Sequence, residues 1–226
     1  MTILLVMAKA PVAGTVKTRL CPPASPREAA RIAAAALRDT LDAVRATAGV
    51  IPVLAFAGCL AEGEDAAGLT RALAGWTVLP QRGNGLGERL ANAHADAAAA
   101  HPGHPVLQIG MDTPQVGADR LAEAAGQLGG ADAVLGAAVD GGWWSLGLCD
   151  PRHATVLRAV PMSTPDTGRL TRAALERRGL RVRALPVLRD VDEWPDALAV
   201  AAALPGSRFG REVGALRRTL VPSGRG

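Results

Sequence analysis

Apolar runs of strand length alternate with Ala-rich helical stretches from one end of the chain to the other, and this alternation narrows the fold more than any single motif. Residues 3–8, 50–57 and 105–110 are almost continuously hydrophobic, the pattern of strands buried on both faces. Further strands are predicted over 76–79, 133–139, 143–148 and 181–186. Helices are predicted over 26–46, 65–74, 86–100, 117–128, 167–178, 194–204 and 209–220. The first of these opens with Ser25 at the N-cap and Pro26 at the first helical position, a strong start signal. Strands interleaved with helices imply an α/β fold with a mainly parallel sheet covered on both faces.

The 226 residues show no internal repeat and no long linker, so one domain over 1–206 is expected, followed by a basic helix and mobile tail over 207–226. That last segment holds five arginines and one acid and carries the whole formal net charge of +4. A neutral body with a basic end offers no stripe of positive charge for tracking phosphates, which argues against a nucleic-acid partner. Cys21, Cys59 and Cys149 are widely spaced and lack a CxxC pairing, so neither a disulfide framework nor a zinc site is expected. No signal peptide or membrane span is apparent, and a cytoplasmic location is expected.

In sheets of this type ligands sit beyond the carboxyl ends of the strands, which singles out four loops. Only two lysines occur among the 25 basic residues, Lys9 and Lys17, and both lie in the first loop with Arg19. Lysine is a compact point charge suited to a phosphate oxygen. Around the turn at Gly14, these three cations would make a cradle for a di- or triphosphate, or simply a charged, solvated loop. Asp112 follows the strand PVLQIG directly, where a carboxylate can hold a hard cation or cap the next helix. Asp190, Asp192 and Glu193 form a second acidic group after the strand ending near Leu188. If the two acidic loops meet, their carboxylates can share a cation bridging phosphate oxygens.

Asp140-Gly141-Gly142 is a short hairpin signal, and a hairpin tip can also present an acid to a substrate. Trp143 and Trp144 point to opposite faces of a strand, one toward the core and one free to line a pocket. The stretch QRGNGLGER (residues 81–89) is Gly-rich, and Gly87 and Glu88 are candidates for close approach to a nucleotide. It lacks the dinucleotide-binding spacing, Val16 stands where a phosphate-loop glycine would precede Lys17, and no GxSxG turn occurs. His101 and His104 lie in a polar turn without companion ligands.

Taken in order, KAPVAGTVKTRL, GLGERL, IGMDTPQV, DGGWWSLGL, MSTPDT and DVDEWPDAL resemble the blocks of a bacterial family in the GT-A glycosyltransferase superfamily. Some of its members are described as arsenosugar-biosynthesis glycosyltransferases. The first loop is also similar to that of 2-phospholactate guanylyltransferases. The resemblance spans roughly residues 3–200 and implies the GT-A nucleotide-diphospho-sugar transferase fold. It further implies that Lys9, Gly14, Lys17 and Arg19 bind nucleotide phosphates and that Asp112 and Asp192 hold Mg²⁺ or Mn²⁺. Asp140, Gly141, Gly142, Trp143, Trp144 and Thr164 would face the donor or acceptor, with Asp112, Asp140 and Lys17 in the chemistry. Met111, Trp143 and Glu193-Trp194 depart from the family pattern.

The function implied is a metal-dependent transferase that binds a nucleoside diphosphate group. Glycosyl transfer from a nucleotide sugar to a small-molecule acceptor is favoured. Nucleotidyl transfer from an NTP with release of pyrophosphate is the alternative, and a non-catalytic nucleotide-sugar-binding protein is a third reading.

Overall fold

In the computed structural model, which describes residues 1–220, seven strands form one sheet in the order β3-β2-β1-β4-β6-β5-β7. They are β1 (Thr2–Lys9), β2 (Val50–Ala57), β3 (Thr77–Pro80), β4 (Val106–Gly110), β5 (Ala133–Ala138), β6 (Trp143–Leu148) and β7 (Val182–Leu188). β6 runs antiparallel to both β4 and β5, and every other pairing is parallel. The sequence signals a β5–β6 hairpin; what it does not signal is that β6 inserts between β4 and β5. The expected α/β architecture with a mainly parallel sheet is present.

Seven α-helices accompany the sheet among the described residues: α1 (Pro26–Ala46), α2 (Ala66–Ala72), α3 (Leu86–Ala100), α4 (Ala118–Gln127), α5 (Thr167–Glu176), α6 (Trp194–Ala203) and α7 (Arg208–Leu220). α1 starts where Ser25 and Glu28 form a reciprocal capping box, with Pro26 at the first helical position. Its many alanines have a packing reason. Ala30, Ala33, Leu37 and Leu41 face a core cluster that includes Leu4, Val6 and Leu54 of the sheet. Ala29, Ile32 and Ala36 join Phe209, Val213 and Leu216 of α7 in another. A helix buried on two sides needs small residues where its neighbours approach.

The helix expected over 209–220 is present as α7 and is tied to α1 by more than apolar contact. Arg208 Nη1 donates to Asp39 Oδ1 at 3.1 Å and to Asp42 Oδ2 at 2.6 Å, and the Phe209 amide donates to Asp39 Oδ2. The tail expected after it lies outside the described residues. A 3-10 helix over Pro151–Ala159, for which the sequence reading has no element, packs against α3. Among the described residues no helix is long and apolar enough to cross a membrane.

His94 of α3 is fully buried, and neither ring nitrogen has a hydrogen-bond partner. Burial pushes its pKa down to about 4, against a smaller opposing effect of Gln108. The ring is therefore neutral in the fold, whereas in the unfolded chain it takes a proton near its ordinary value of 6.5. Its contribution to stability is complete above pH 6.5 and is lost progressively as pH falls toward 4, by up to about 3 kcal/mol. Urea unfolding at pH 7 and pH 4.5 should show a smaller acid loss for His94→Leu than for the native chain. Equal losses would remove His94 from the acid response.

Candidate functional site

The parallel strands β1, β4, β5 and β7 end at one edge of the sheet, and the loops that follow them enclose a cleft of about 770 Å³. β1 is flanked by β2 on one side and β4 on the other, so the connections diverge here, where α/β sheets open a crevice. Of the residues singled out in the sequence, Lys9, Lys17, Arg19, Asp112, Asp140, Gly142, Trp143, Trp144, Thr164 and Asp192 all line this cleft.

Lys17 is the hub. It has a left-handed backbone (φ 49°) at the start of a 3-10 turn, Thr18–Leu20, and its side chain is only 9% exposed. Its ammonium sits against Asp112 Oδ1 and the Val191 carbonyl, with Asp192 Oδ1 at 3.5 Å. Burial disfavours the charged form, but Asp112 and Asp192 outweigh it and the pKa is raised. Arg19 Nη1 reaches Asp192 Oδ2 at 3.2 Å. Lys9 turns back over its own loop and donates to the Thr15 carbonyl at 2.8 Å. The first loop is thus tied to the loop before α6 by charge.

The carboxylates are grouped differently from the sequence expectation. One oxygen from each of Asp140, Asp190 and Asp192 lies within 4.8 Å of the others, and Asp112 is not in this set. Asp112 pairs instead with Lys17. Parallel pairing of β5 with β7, which sets Ala138 opposite Leu188, delivers Asp140 to the end of β7, a long-range effect that loop spacing does not encode. Asp190 is pushed up to about 6, first by burial and then by Asp140 and Asp192. Three hard oxygen donors that mutually repel suit a divalent cation such as Mg²⁺ or Mn²⁺, whose charge would offset that repulsion.

Four of the predicted residues do not line the cleft. Gly14 turns the first loop outside it. Gly87 is buried beneath the 3-10 helix over Pro151–Ala159, where an added Cβ would lie 2.3 Å from the Leu157 carbonyl oxygen. Glu88 accepts from the Asn84 amide at 2.8 Å and from Arg158 at 3.3 Å, so it organises the start of α3. Gly141 (φ +89°) supports the site from behind: its carbonyl accepts from the Gly168 amide at 2.8 Å, and a Cβ there would meet Pro165 O at 1.9 Å. Gly141→Ala should therefore lower stability by about 2–3 kcal/mol, combining the strained φ with backbone overlap. At about 2–4 °C per kcal/mol that is a Tm drop of several degrees, and an unchanged Tm would contradict the contact.

Trp144 is 3% exposed and donates through Nε1 to the Pro186 carbonyl, which makes it the core member of the pair although one edge reaches the cleft. Trp143 is half-buried, donates to Thr171 Oγ1 at 3.2 Å and offers more of its ring. The Thr164 amide donates to Thr167 Oγ1, which fixes a segment that lines the cleft together with Trp143. Sequence reasoning passed over Gln108 and Arg89 as site residues. Both line the cleft, and the available signal was a polar residue inside an apolar strand and a cation on the inner side of a helix.

Comparison with solved structures places this architecture among nucleotide-dependent transferases. A Desulfovibrio desulfuricans G20 protein, described as a candidate nucleotide-diphospho-sugar transferase, superposes with a TM-score of 0.82 at 25% identity, covering 97% of this chain and 98% of its own. A CMP:2-keto-3-deoxy-manno-octonic acid synthetase complexed with CTP superposes at 0.56 and 11% identity, over 90% of this chain and 98% of its own. A 4-diphosphocytidyl-2C-methyl-D-erythritol synthase from Anaerococcus prevotii DSM 20548 gives 0.57 and 12%, again over 90% and 98%. The two more distant likenesses show the shared fold. No curated protein matches the chain. A family model described as an uncharacterized protein conserved in bacteria matches residues 40–164, more than half of the sequence, and the chain belongs to that family, DUF2064.

Proposed function

We propose that this protein is a metal-dependent transferase that holds a nucleoside diphosphate group in the cleft and transfers a glycosyl group from a nucleotide sugar to a small acceptor. One observation carries the reading. A loop bearing Lys9, Lys17 and Arg19 and the carboxylate cluster Asp140, Asp190 and Asp192 line one cleft at the carboxyl edge of the sheet, in contact through Asp192. Cations beside hard oxygen ligands match the charge of a metal-bound diphosphate. The likeness to the Desulfovibrio protein supports a nucleotide sugar as donor.

In this scheme Asp140, Asp190 and Asp192 hold the cation, which when bound neutralises charge on the diphosphate oxygens. Lys17 keeps Asp112 and Asp192 in register, while Lys9 and Arg19 lie along the same loop to receive phosphate oxygens. Trp143 supplies a flat surface for a sugar or base ring. The place of Asp140 in the cluster favours a ligand role for it over that of acceptor base.

Nucleotidyl transfer is the second reading, favoured by the fold shared with the two cytidylyl-transferring enzymes. Product analysis separates the two. The purified chain is incubated with Mn²⁺ and a panel of nucleotide sugars or NTPs, and release of nucleoside diphosphate or of pyrophosphate is measured. Nucleoside diphosphate from a nucleotide sugar supports glycosyl transfer, and pyrophosphate from an NTP supports the alternative. Metal-independent binding with neither product would indicate a non-catalytic nucleotide-sugar-binding protein.

A further inference from the structure

We infer that Arg89 forms a second anion subsite in the cleft, one that takes the carboxylate or phosphate of the acceptor; the inference rests on the nucleotide reading above. Arg89 lies in the first turn of α3, half-buried, beside Leu90 on the face that packs on the sheet. Side chains on a helix lean toward its N-terminus, and the N-terminus of α3 is its cleft end. The guanidinium has no carboxylate within 4.0 Å among the described residues, and its buried Nε has no hydrogen-bond partner.

The other cations of the cleft are engaged. Lys17 is held by Asp112 and Asp192, Arg19 by Asp192, and Lys9 by the Thr15 carbonyl. Glu88, the adjacent acid, is turned away toward Asn84 and Arg158. A half-buried charge without a counter-ion is costly, and the fold leaves this one facing the cleft. Its planar fork matches the two oxygens of a carboxylate or phosphate.

Position separates Arg89 from the nucleotide loop. Val16, Leu20 and Val191, the neighbours of Lys17, belong to the clusters packed around α1, whereas Leu90 belongs to the cluster on the α3 side, with Trp143 and Met162 against it. A diphosphate seated on the first loop therefore leaves Arg89 for a different group. Gln108, 3% exposed with an unpartnered Oε1, lines the same cleft, and that oxygen can accept from a hydroxyl on the same molecule rather than from its anionic group. Leu86, Leu90 and Met162 provide apolar surface for a short carbon skeleton. The acceptor this corner fits is a small organic acid or phosphate ester.

The test titrates the intact chain by calorimetry with glycerol 3-phosphate and, separately, with glycerate, each with and without saturating nucleoside diphosphate and Mn²⁺. The native chain is compared with Arg89→Gln and Arg89→Lys, after melting curves confirm that the variants fold. The native chain should bind one of the two acids, and which one it binds distinguishes phosphate from carboxylate. Arg89→Gln should weaken that binding at least tenfold on the general scale of charge-assisted contacts, Arg89→Lys should fall between, and nucleotide affinity should stay within about twofold. The subsite is overturned if the native chain binds neither acid, if Arg89→Gln binds them equally well, or if nucleotide affinity falls in parallel. Failure of the nucleotide to bind would sink the function proposed above, while the titrations without nucleotide still decide the role of Arg89.

Discussion

Asp192→Asn should lower turnover by about 10³-fold, the largest effect of any single substitution in the cleft. The estimate combines loss of a cation ligand, worth about 10²-fold, with loss of the charge that positions two basic groups, worth about tenfold. Asp192 is the residue common to both halves of the site. It is one of three clustered carboxylates, and it also meets Lys17 at 3.5 Å and Arg19 at 3.2 Å. Asp112→Asn, by contrast, removes a partner of Lys17 but no member of the cluster, so its loss should be smaller. The comparison is made on initial rates at saturating Mn²⁺, with whichever donor the product assay identifies. A rate for Asp192→Asn within tenfold of the native chain would refute the shared role, and so would a larger defect for Asp112→Asn.

Lys17→Met should damage both stability and activity. Removing one partner of a fully buried ion pair costs about 3–5 kcal/mol, because the other charge is left uncompensated. Here Asp112 and Asp192 are 45% and 36% exposed, so water takes up part of that loss. The expected cost is about 1–3 kcal/mol after that discount. It corresponds to a Tm decrease of several degrees at about 2–4 °C per kcal/mol. Nucleotide binding should weaken in parallel, since the first loop is no longer fastened to the acidic loop. Lys17→Arg should not rescue it. The ammonium fits among oxygens of Asp112, Val191 and Asp192, and a planar guanidinium cannot occupy that point without moving one of them. Native-like melting and binding in Lys17→Met would show that the ion pairs are incidental.

Much of the fold is legible in the sequence because its signals are local. Ser25, Pro26 and Glu28 specify the start of α1 within four residues, and the apolar run behind β1 needs no partner to declare a buried strand. The first loop, Asp112 and Asp192 are legible as site residues because each follows a strand whose carboxyl end must lie at the same edge. Asp140 joins Asp190 and Asp192 because β5 pairs in parallel with β7, and strand order is not a local property. The same limit explains Gly87. Its glycine is visible, but the Leu157 carbonyl that requires it lies on a 3-10 helix seventy residues away in sequence, which has no clear periodic signature. Arg89 and Gln108 were hidden for the opposite reason. A single polar residue within an apolar pattern acquires meaning only when its surroundings leave it without a partner.

The bond from Lys17 to the Val191 carbonyl spans 174 positions of the chain. During synthesis the first loop and α1 emerge first, yet two of the three oxygens that hold the Lys17 side chain, those of Val191 and Asp192, arrive only after β7 has been made. A nascent or truncated chain ending before Val191 would leave the lysine with Asp112 as its one remaining partner of the three. Under the function proposed above, nucleotide capture would report completed folding, because the first loop is set by residues that follow the last strand of the sheet.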